Sequence, residues 1–202
     1  MAEELTRYAE SDAIICAIPR GGILSGIAVA KRLKLPLEIM VVVKSEHVTD
    51  DASLLCAVTE FGTYVSATDD SMPDAEVQKG VAEARQKRLT YTESEVLPTW
   101  EGKTVIVVDD GAESGLTIKA VIEALQAQKA TKIIVALPAA SASVISWLKK
   151  HVDEVAVVKV EPEFTGFIHE HFSHYPEVFD KEVHIAYWHA RHLFDENFKR
   201  HN

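Results

Sequence analysis

Cysteine is scarce in this 202-residue chain, which carries only Cys16 and Cys56. The two lie far apart, each in or beside an apolar run, so they read as buried thiols and not as a disulfide or a paired metal site. Positive charge is also short: 21 Lys and Arg stand against 31 Asp and Glu, for a formal net charge of −10. Binding a phosphate backbone requires a net basic face, so the expectation is no nucleic-acid partner, with a local basic pocket left open. No apolar run is long enough to cross a bilayer and the first residues hold no apolar leader core. The expectation is therefore no membrane partner and a cytoplasmic protein. Repeats, low-complexity tracts and evident linkers are missing too. At 47% hydrophobic residues, the chain has the material for a single domain over 1–202 with one substantial α/β core.

What is present is an alternation of strands and helices. Ala13–Ile18 reads as a short apolar strand, followed by Gly21-Gly22 and a helix with Ile23, Ile27 and Ala30 on one face. Leu37–Val43 reads as a second strand, Val105–Val108 as a third, Lys132–Leu137 as a fourth and Val155–Val158 as a fifth, with a helix near Ser141–Lys150 before the last. Strands that alternate with helices predict a doubly wound, mainly parallel sheet of about five strands with flanking helices. The stretch 45–98 breaks that rhythm. Leu54–Thr59 and Thr63–Ser66 read as a hairpin around Phe61-Gly62, and Asp74–Thr92 as a long polar helix.

The densest chemical signal is Val105–Thr117, Val-Ile-Val-Val-Asp-Asp-Gly-Ala-Glu-Ser-Gly-Leu-Thr. A strand buried on both faces delivers two adjacent acids and a small-residue turn, and Ile118, Val121, Ile122 and Leu125 continue at the spacing of a helix packed on a sheet. The turn therefore lies at a strand's carboxyl end, where open α/β sheets bind ligands. Gly111 and Gly115 permit backbone conformations in which successive N–H groups point inward as an anion nest. Ser114 and Thr117 add hydroxyls, and the helix N-terminus adds partial positive charge. Asp109 and Asp110 would repel a phosphate in contact with them, so they are better placed a few ångströms away, accepting from sugar hydroxyls. The two roles together describe a ribose 5-phosphate.

Asp109-Asp110-Gly111-Ala112-Glu113-Ser114-Gly115-Leu116-Thr117 resembles the phosphoribosyl pyrophosphate (PRPP) signature of the type I phosphoribosyltransferases. Ala17-Ile18-Pro19-Arg20-Gly21-Gly22 resembles that family's first-strand pyrophosphate loop. The resemblance covers roughly residues 10–190, with Val41-Val42-Val43-Lys44 between the motifs and the less specific Glu161-Pro162-Glu163-Phe164 near the end. It implies transfer of ribose 5-phosphate from PRPP to a small-molecule nitrogen acceptor, with a nucleobase as the leading class, and release of pyrophosphate. It also implies a homodimer, a mobile cover over 45–98, and a hood with a C-terminal helix over 160–202. Mg²⁺ would be bound mainly through substrate and water, with no direct protein ligand expected. On this resemblance Asp109, Asp110, Glu113 and Arg20 are the candidate catalytic residues. Gly111, Ala112, Glu113, Ser114, Gly115, Leu116 and Thr117 form the 5-phosphate loop, and Arg20, Gly21, Gly22 and Lys44 the pyrophosphate site. The family often carries a cis peptide in the first loop, expected here at Arg20–Gly21. Some relatives bind PRPP or a nucleotide as regulators, which leaves a non-catalytic sensor as the alternative.

Several residues keep two readings. Glu113 is either a carboxylate that takes the acceptor's proton or a solvated acid complementing a helix N-terminus. Lys44 either neutralises pyrophosphate or is a solvated strand end. Arg85, Lys87 and Arg88 are either cover cations or one charged helix face. His169, His171, His174, His189 and His192 show no known ligand frame for zinc. Phe164, Phe167 and Phe172 read as packing or hood residues, and Tyr187 and Trp188 as core or dimer contacts.

Overall fold

The computed structural model describes residues 2–48, 53–68, 71–162 and 177–199. Five strands form one parallel sheet in the order β2-β1-β6-β7-β8: β1 (Ile14–Ala17), β2 (Leu37–Ile39), β6 (Thr104–Val108), β7 (Lys132–Ser141) and β8 (Glu154–Glu161). Along β6, Val105 and Val107 point to one face while Ile106 and Val108 point to the other, and all four are fully buried. The period-2 alternation of a strand explains why an unbroken apolar run is needed: both faces are covered. On the first face lie α1 (Gly22–Leu33), α2 (Asp74–Thr92) and α5 (Asp180–Lys199), whose Ile23, Val29, Leu33, Val81, Ala84, Val183 and Tyr187 join Ile106 and Val108. On the second lie α3 (Leu116–Ala127) and α4 (Ala142–His151), which bring Ile118, Val121, Ile122, Leu125, Val144 and Leu148 against Val105 and Val107. The doubly wound expectation holds.

The stretch Leu37–Val43 does not form one strand. Met40 N–H still donates to the Ala17 carbonyl at 3.1 Å, but the Val41 carbonyl accepts from Glu60 N–H at 3.2 Å, so the chain leaves the main sheet there. From Val42 it runs in a second, antiparallel sheet of β3 (Val42–Val48), β4 (Ser53–Thr59) and β5 (Tyr64–Ser66). Apolar content is equal on both sides of this break, so nothing in the run announces a change of partner. The predicted hairpin and the polar helix Asp74–Thr92 are both present, with β3 as an added third strand. The helix before the last strand, α4, starts at Ala142, with Ser141 as its cap: Ser141 Oγ accepts from Val144 N–H at 3.3 Å. Among the described residues no helix is long and apolar enough to cross a membrane.

Candidate active site

A cleft of about 970 Å³ opens at the carboxyl ends of β1 and β6, and residues from five segments line it. Pro19, Arg20 and Gly21 come from the β1–α1 turn, Val41–Lys44 from the crossing into β3, and Asp110 and Thr117 from the β6–α3 turn. Glu83, Lys87 and Tyr91 of α2 face them, with Glu177 and Val178 just before α5. The two sequence motifs and Lys44 thus meet in one place. Lys44 does so from an antiparallel strand, paired with Ala57, and not from the end of the second parallel strand as expected.

The acidic pair is divided by burial. Asp109 is 8% exposed and its Oδ1 accepts from Asp110 N–H at 2.9 Å, whereas Asp110 is half-buried and faces the cleft. Burial, and then the charge of adjacent Asp110, hold the Asp109 carboxyl well above the usual carboxylate range; Lys44 pulls the other way. Gly22 stands against this buried acid: a Cβ there would lie 2.8 Å from both Asp109 Cα and Oδ1 and 2.9 Å from the Val108 carbonyl oxygen. Gly22 therefore makes room for Asp109 and lies outside the cleft lining, while Gly21 faces the cleft. The cis peptide of this loop is Pro19–Arg20, one residue before the expected Arg20–Gly21.

The β6–α3 turn is stitched to the neighbouring strand. Ala112 N–H donates to the Ala139 carbonyl and Ser141 N–H to the Ala112 carbonyl, both at 3.0 Å, which makes a parallel bridge of Ala112 with Ala140. Ser141 Oγ donates to the Glu113 carbonyl at 2.8 Å. Gly115 closes the turn at φ +73°, a left-handed conformation that favours glycine, and α3 begins at the next residue. Ser114 Oγ accepts from Leu116 N–H at 3.4 Å. Of the residues expected to hold a 5-phosphate, Ala112 and Leu116 are buried as packing, Thr117 lines the cleft, and Glu113 and Ser114 are exposed. Glu113 is not part of the cleft lining.

Sequence reasoning missed a buried charge cluster behind this wall. Arg88, expected on a solvated face or as a cover cation, is 3% exposed. Its Nη1 donates to Glu60 Oε1 at 3.1 Å and to the Ile39 carbonyl at 3.2 Å, its Nη2 to Glu38 Oε1 at 3.1 Å, and its Nε to the Val96 carbonyl at 3.1 Å. Glu60 is fully buried, and desolvation pushes its carboxyl up to about 7 against the opposing pull of Arg88. The available signal was position: Arg88 falls on the stripe of α2 shared by Ala84 and Tyr91, where a solvated arginine has no place. Arg85 is exposed, its Nε donating to the Glu60 carbonyl at 3.1 Å.

The C-terminal histidines form no metal frame among the described residues, where no group of three or more His, Cys, Asp or Glu converges. His192 stacks on Trp188 with centroids 3.6 Å apart, and its Nδ1 lies 3.0 Å from the Trp188 carbonyl oxygen. Tyr187 is core, while Trp188 is 46% exposed. Glu163, Phe164, Phe167, His169, His171, Phe172 and His174 lie outside the described residues. Cys16 and Cys56 are both buried and free.

Residues 1–171 match the family model described as Phosphoribosyl transferase domain. The chain belongs to that family. Two Mycobacterium tuberculosis proteins, each named "Putative phosphoribosyl transferase", are 24% identical to this phosphoribosyl transferase domain over 191 residues. The match takes in 91% of this chain but 43% of each relative, so the chain spans less than half the length of the curated relatives it matches. A crystal structure of the protein TT1426 from Thermus thermophilus superposes with a TM-score of 0.75 at 24% identity, covering 93% of this chain and 92% of that one. The domain therefore shares that protein's fold.

Proposed function

We propose that this chain is a PRPP-dependent phosphoribosyltransferase that passes ribose 5-phosphate to a nitrogen acceptor, a nucleobase being the leading class, and releases pyrophosphate. The observation that carries the reading is convergence: Arg20-Gly21, Lys44, Asp110 and Thr117 come from separate segments of a phosphoribosyl transferase domain and line one cleft. Thr117, in the first turn of α3, offers its hydroxyl together with the helix dipole to the 5-phosphate. Asp110, with Asp109 behind it, accepts from the ribose hydroxyls and stabilises positive charge at C1. Arg20 and Lys44 offset the charge on pyrophosphate. The C1–O bond breaks with its electron pair leaving on pyrophosphate. The acceptor nitrogen then forms the C1–N bond and sheds its proton. Positioning and electrostatics supply the rate, with no covalent intermediate.

The donor set fits Mg²⁺ held through the substrate. The turn provides one cleft-facing carboxylate and one buried behind it, too few for an all-protein cage but suited to an ion that keeps water and phosphate oxygens. When bound, the ion would neutralise pyrophosphate charge. The same proposal includes a homodimer, as the family resemblance implies, and a cytoplasmic location, as the sequence composition leads us to expect. A second reading, a PRPP- or nucleotide-binding regulator, draws on one observation: Glu113, the candidate for taking the acceptor's proton, is exposed and outside the cleft lining. Calorimetry with PRPP and Mg²⁺, then a pyrophosphate-release screen over purines, pyrimidines and small amines, separates the two. Release with one acceptor class supports transfer; binding without release under any acceptor supports the regulator, and no binding refutes both.

A further inference from the structure

The Arg88 cluster lies directly behind two walls of the cleft. One wall is Val41–Lys44, whose first residue is clasped by the Glu60 backbone, Glu60 N–H to the Val41 carbonyl at 3.2 Å. The other is the Glu83, Lys87 and Tyr91 face of α2, and Arg88 sits between the last two. Arg88 spends four hydrogen bonds on three segments: β2 through the Ile39 carbonyl and the Glu38 carboxylate, the β4–β5 turn through Glu60, and the chain after α2 through Val96. Tyr91, one turn on, donates from its hydroxyl to Asp180 Oδ1 at 2.7 Å and so ties the same helix to α5. No other side chain of α2 bonds so many separate segments among the described residues.

We propose that Arg88 and Glu60 are positioning residues: the buried Glu38–Arg88–Glu60 bridge sets the spacing of the two cleft walls, and the charge on Glu60 decides how firmly they are held. With both acids ionised the bridge carries two negative charges and one positive; Glu60 and Arg88 are sealed from water, and Glu38 is half-buried at its edge. Glu60 Oε2 is buried with no hydrogen-bond partner among the described residues, so an ionised Glu60 leaves one oxygen unsolvated. A neutral Glu60 balances the bridge at one charge of each sign and removes that penalty. The groups around Glu60 are accounted for on every packed element: Arg88 and Arg85 from α2, Glu38 from β2, the buried Cys16 thiol from β1, and Tyr187 and Arg191 of α5 acting through Glu38. Glu38 itself is stabilised by Arg88, by Tyr187 OH at 3.1 Å and by Arg191 at 3.9 Å, whereas Arg88 is the one cation paired with the Glu60 carboxyl group among the described residues.

The sign follows from linkage. The packed state holds the Glu60 carboxyl up to about 7, whereas an opened state in which water reaches it has the ordinary value of 4.5. The packed state therefore binds the extra proton, and opening becomes easier as pH rises from 4.5 to about 7, with no further change above that. The cleft walls are held tightest on the acidic side of neutrality.

The consequence for catalysis rests on the transferase reading, so the decisive readout is made without substrate. Amide hydrogen exchange on the intact chain, corrected for the intrinsic pH dependence, reports protection of Val43, Lys44 and Lys87–Tyr91 at pH 5 and pH 7.5. In the parent chain protection falls by about tenfold or more across this interval. In Glu60→Gln, which keeps shape and an acceptor for Arg88, it stays flat within about twofold. Arg88→Lys keeps the charge but loses the planar fork; it lowers protection at both pH values, and a normal melting transition shows that it has folded. Equal pH dependence in the parent and Glu60→Gln overturns the proposal. The PRPP Kd is then measured for both chains at the two pH values. A pH-dependent Kd in the parent that flattens in Glu60→Gln extends the coupling to the ligand, and identical Kd profiles limit it to the walls and overturn the catalytic consequence. Absence of PRPP binding in either chain refutes the transferase reading and leaves the exchange result standing.

Discussion

Gly115→Ala tests whether the turn before α3 is held in its present shape by both backbone and packing. The residue sits at φ +73°, and a Cβ added there would lie 2.7 Å from Val144 Cγ2 and 3.3 Å from Val144 Cγ1. A left-handed alanine costs about 1–2 kcal/mol, and forcing a methyl into a packed site costs about 1–3 kcal/mol. The expected loss is roughly 3 kcal/mol, which for a chain of this size lowers the melting temperature by on the order of 10 °C. Val144 is 1% exposed on α4, so the clash is with a side chain that a second substitution can shorten. Val144→Ala alone destabilises by leaving a cavity, but with Gly115→Ala the methyl fills part of it. The double variant should therefore be more stable than the sum of the single losses by about 1 kcal/mol or more, the backbone part persisting. Gly115→Asn should retain more stability than a β-branched substitution, since Asn tolerates this conformation. Thermal and urea denaturation of the three variants supply the cycle. Strict additivity would refute the steric part of the reasoning, and a neutral Gly115→Ala would refute both parts.

Asp110→Asn should reduce PRPP-dependent pyrophosphate release by at least about a hundredfold while shifting stability little, because the carboxylate faces the cleft; release kinetics beside a thermal melt check this, and unchanged turnover removes the assignment. Glu60→Gln should change how stability varies with pH. The unfolded chain ionises Glu60 near 4.5 and the folded chain near 7, so the folded state binds more protons between them and parent stability falls as pH rises through that window, by at most roughly 3 kcal/mol. Urea titrations at pH 5 and 7.5 should show this component missing from the variant. Tyr91→Phe removes the 2.7 Å bond to Asp180, for a loss of about 1 kcal/mol by urea denaturation.

The main sheet was legible because two-sided burial demands apolar strands, and Val105–Val108 and Lys132–Leu137 carry no competing signal. The cleft was legible where the signal is local: Asp110, Arg20 and Gly21 sit in short turns of distinctive composition, and Thr117 opens the helix that follows one of them. Lys44 was found by its neighbourhood, but its strand was misassigned, because Leu37–Val43 is equally apolar where it serves two different sheets. The far wall was legible only in part: Lys87 stood out as a candidate cover cation, but Glu83 and Tyr91 did not. Glu83, Lys87 and Tyr91 reach the cleft only because α2 folds back over it, and a helix with a polar average hides which few positions face inward. Arg88 and Glu60 were hidden for the same reason: their partners, Glu38, Ile39 and Val96, are distributed along the chain, and only tertiary packing brings them to one guanidinium.

The bridge between Ala112 and Ala140 makes the ligand turn an extension of β7, and the Ser141 hydroxyl serves both that turn and the first turn of α4. The turn behaves as a welded joint. Displacing it would break two ladder bonds and the Ser141 hydroxyl's bond to the Glu113 carbonyl at once, so this side of the cleft is cast in advance of any encounter. On the proposed reading, adaptation to a different acceptor falls to the opposite side, where Glu83, Lys87 and Tyr91 of α2 line the cleft.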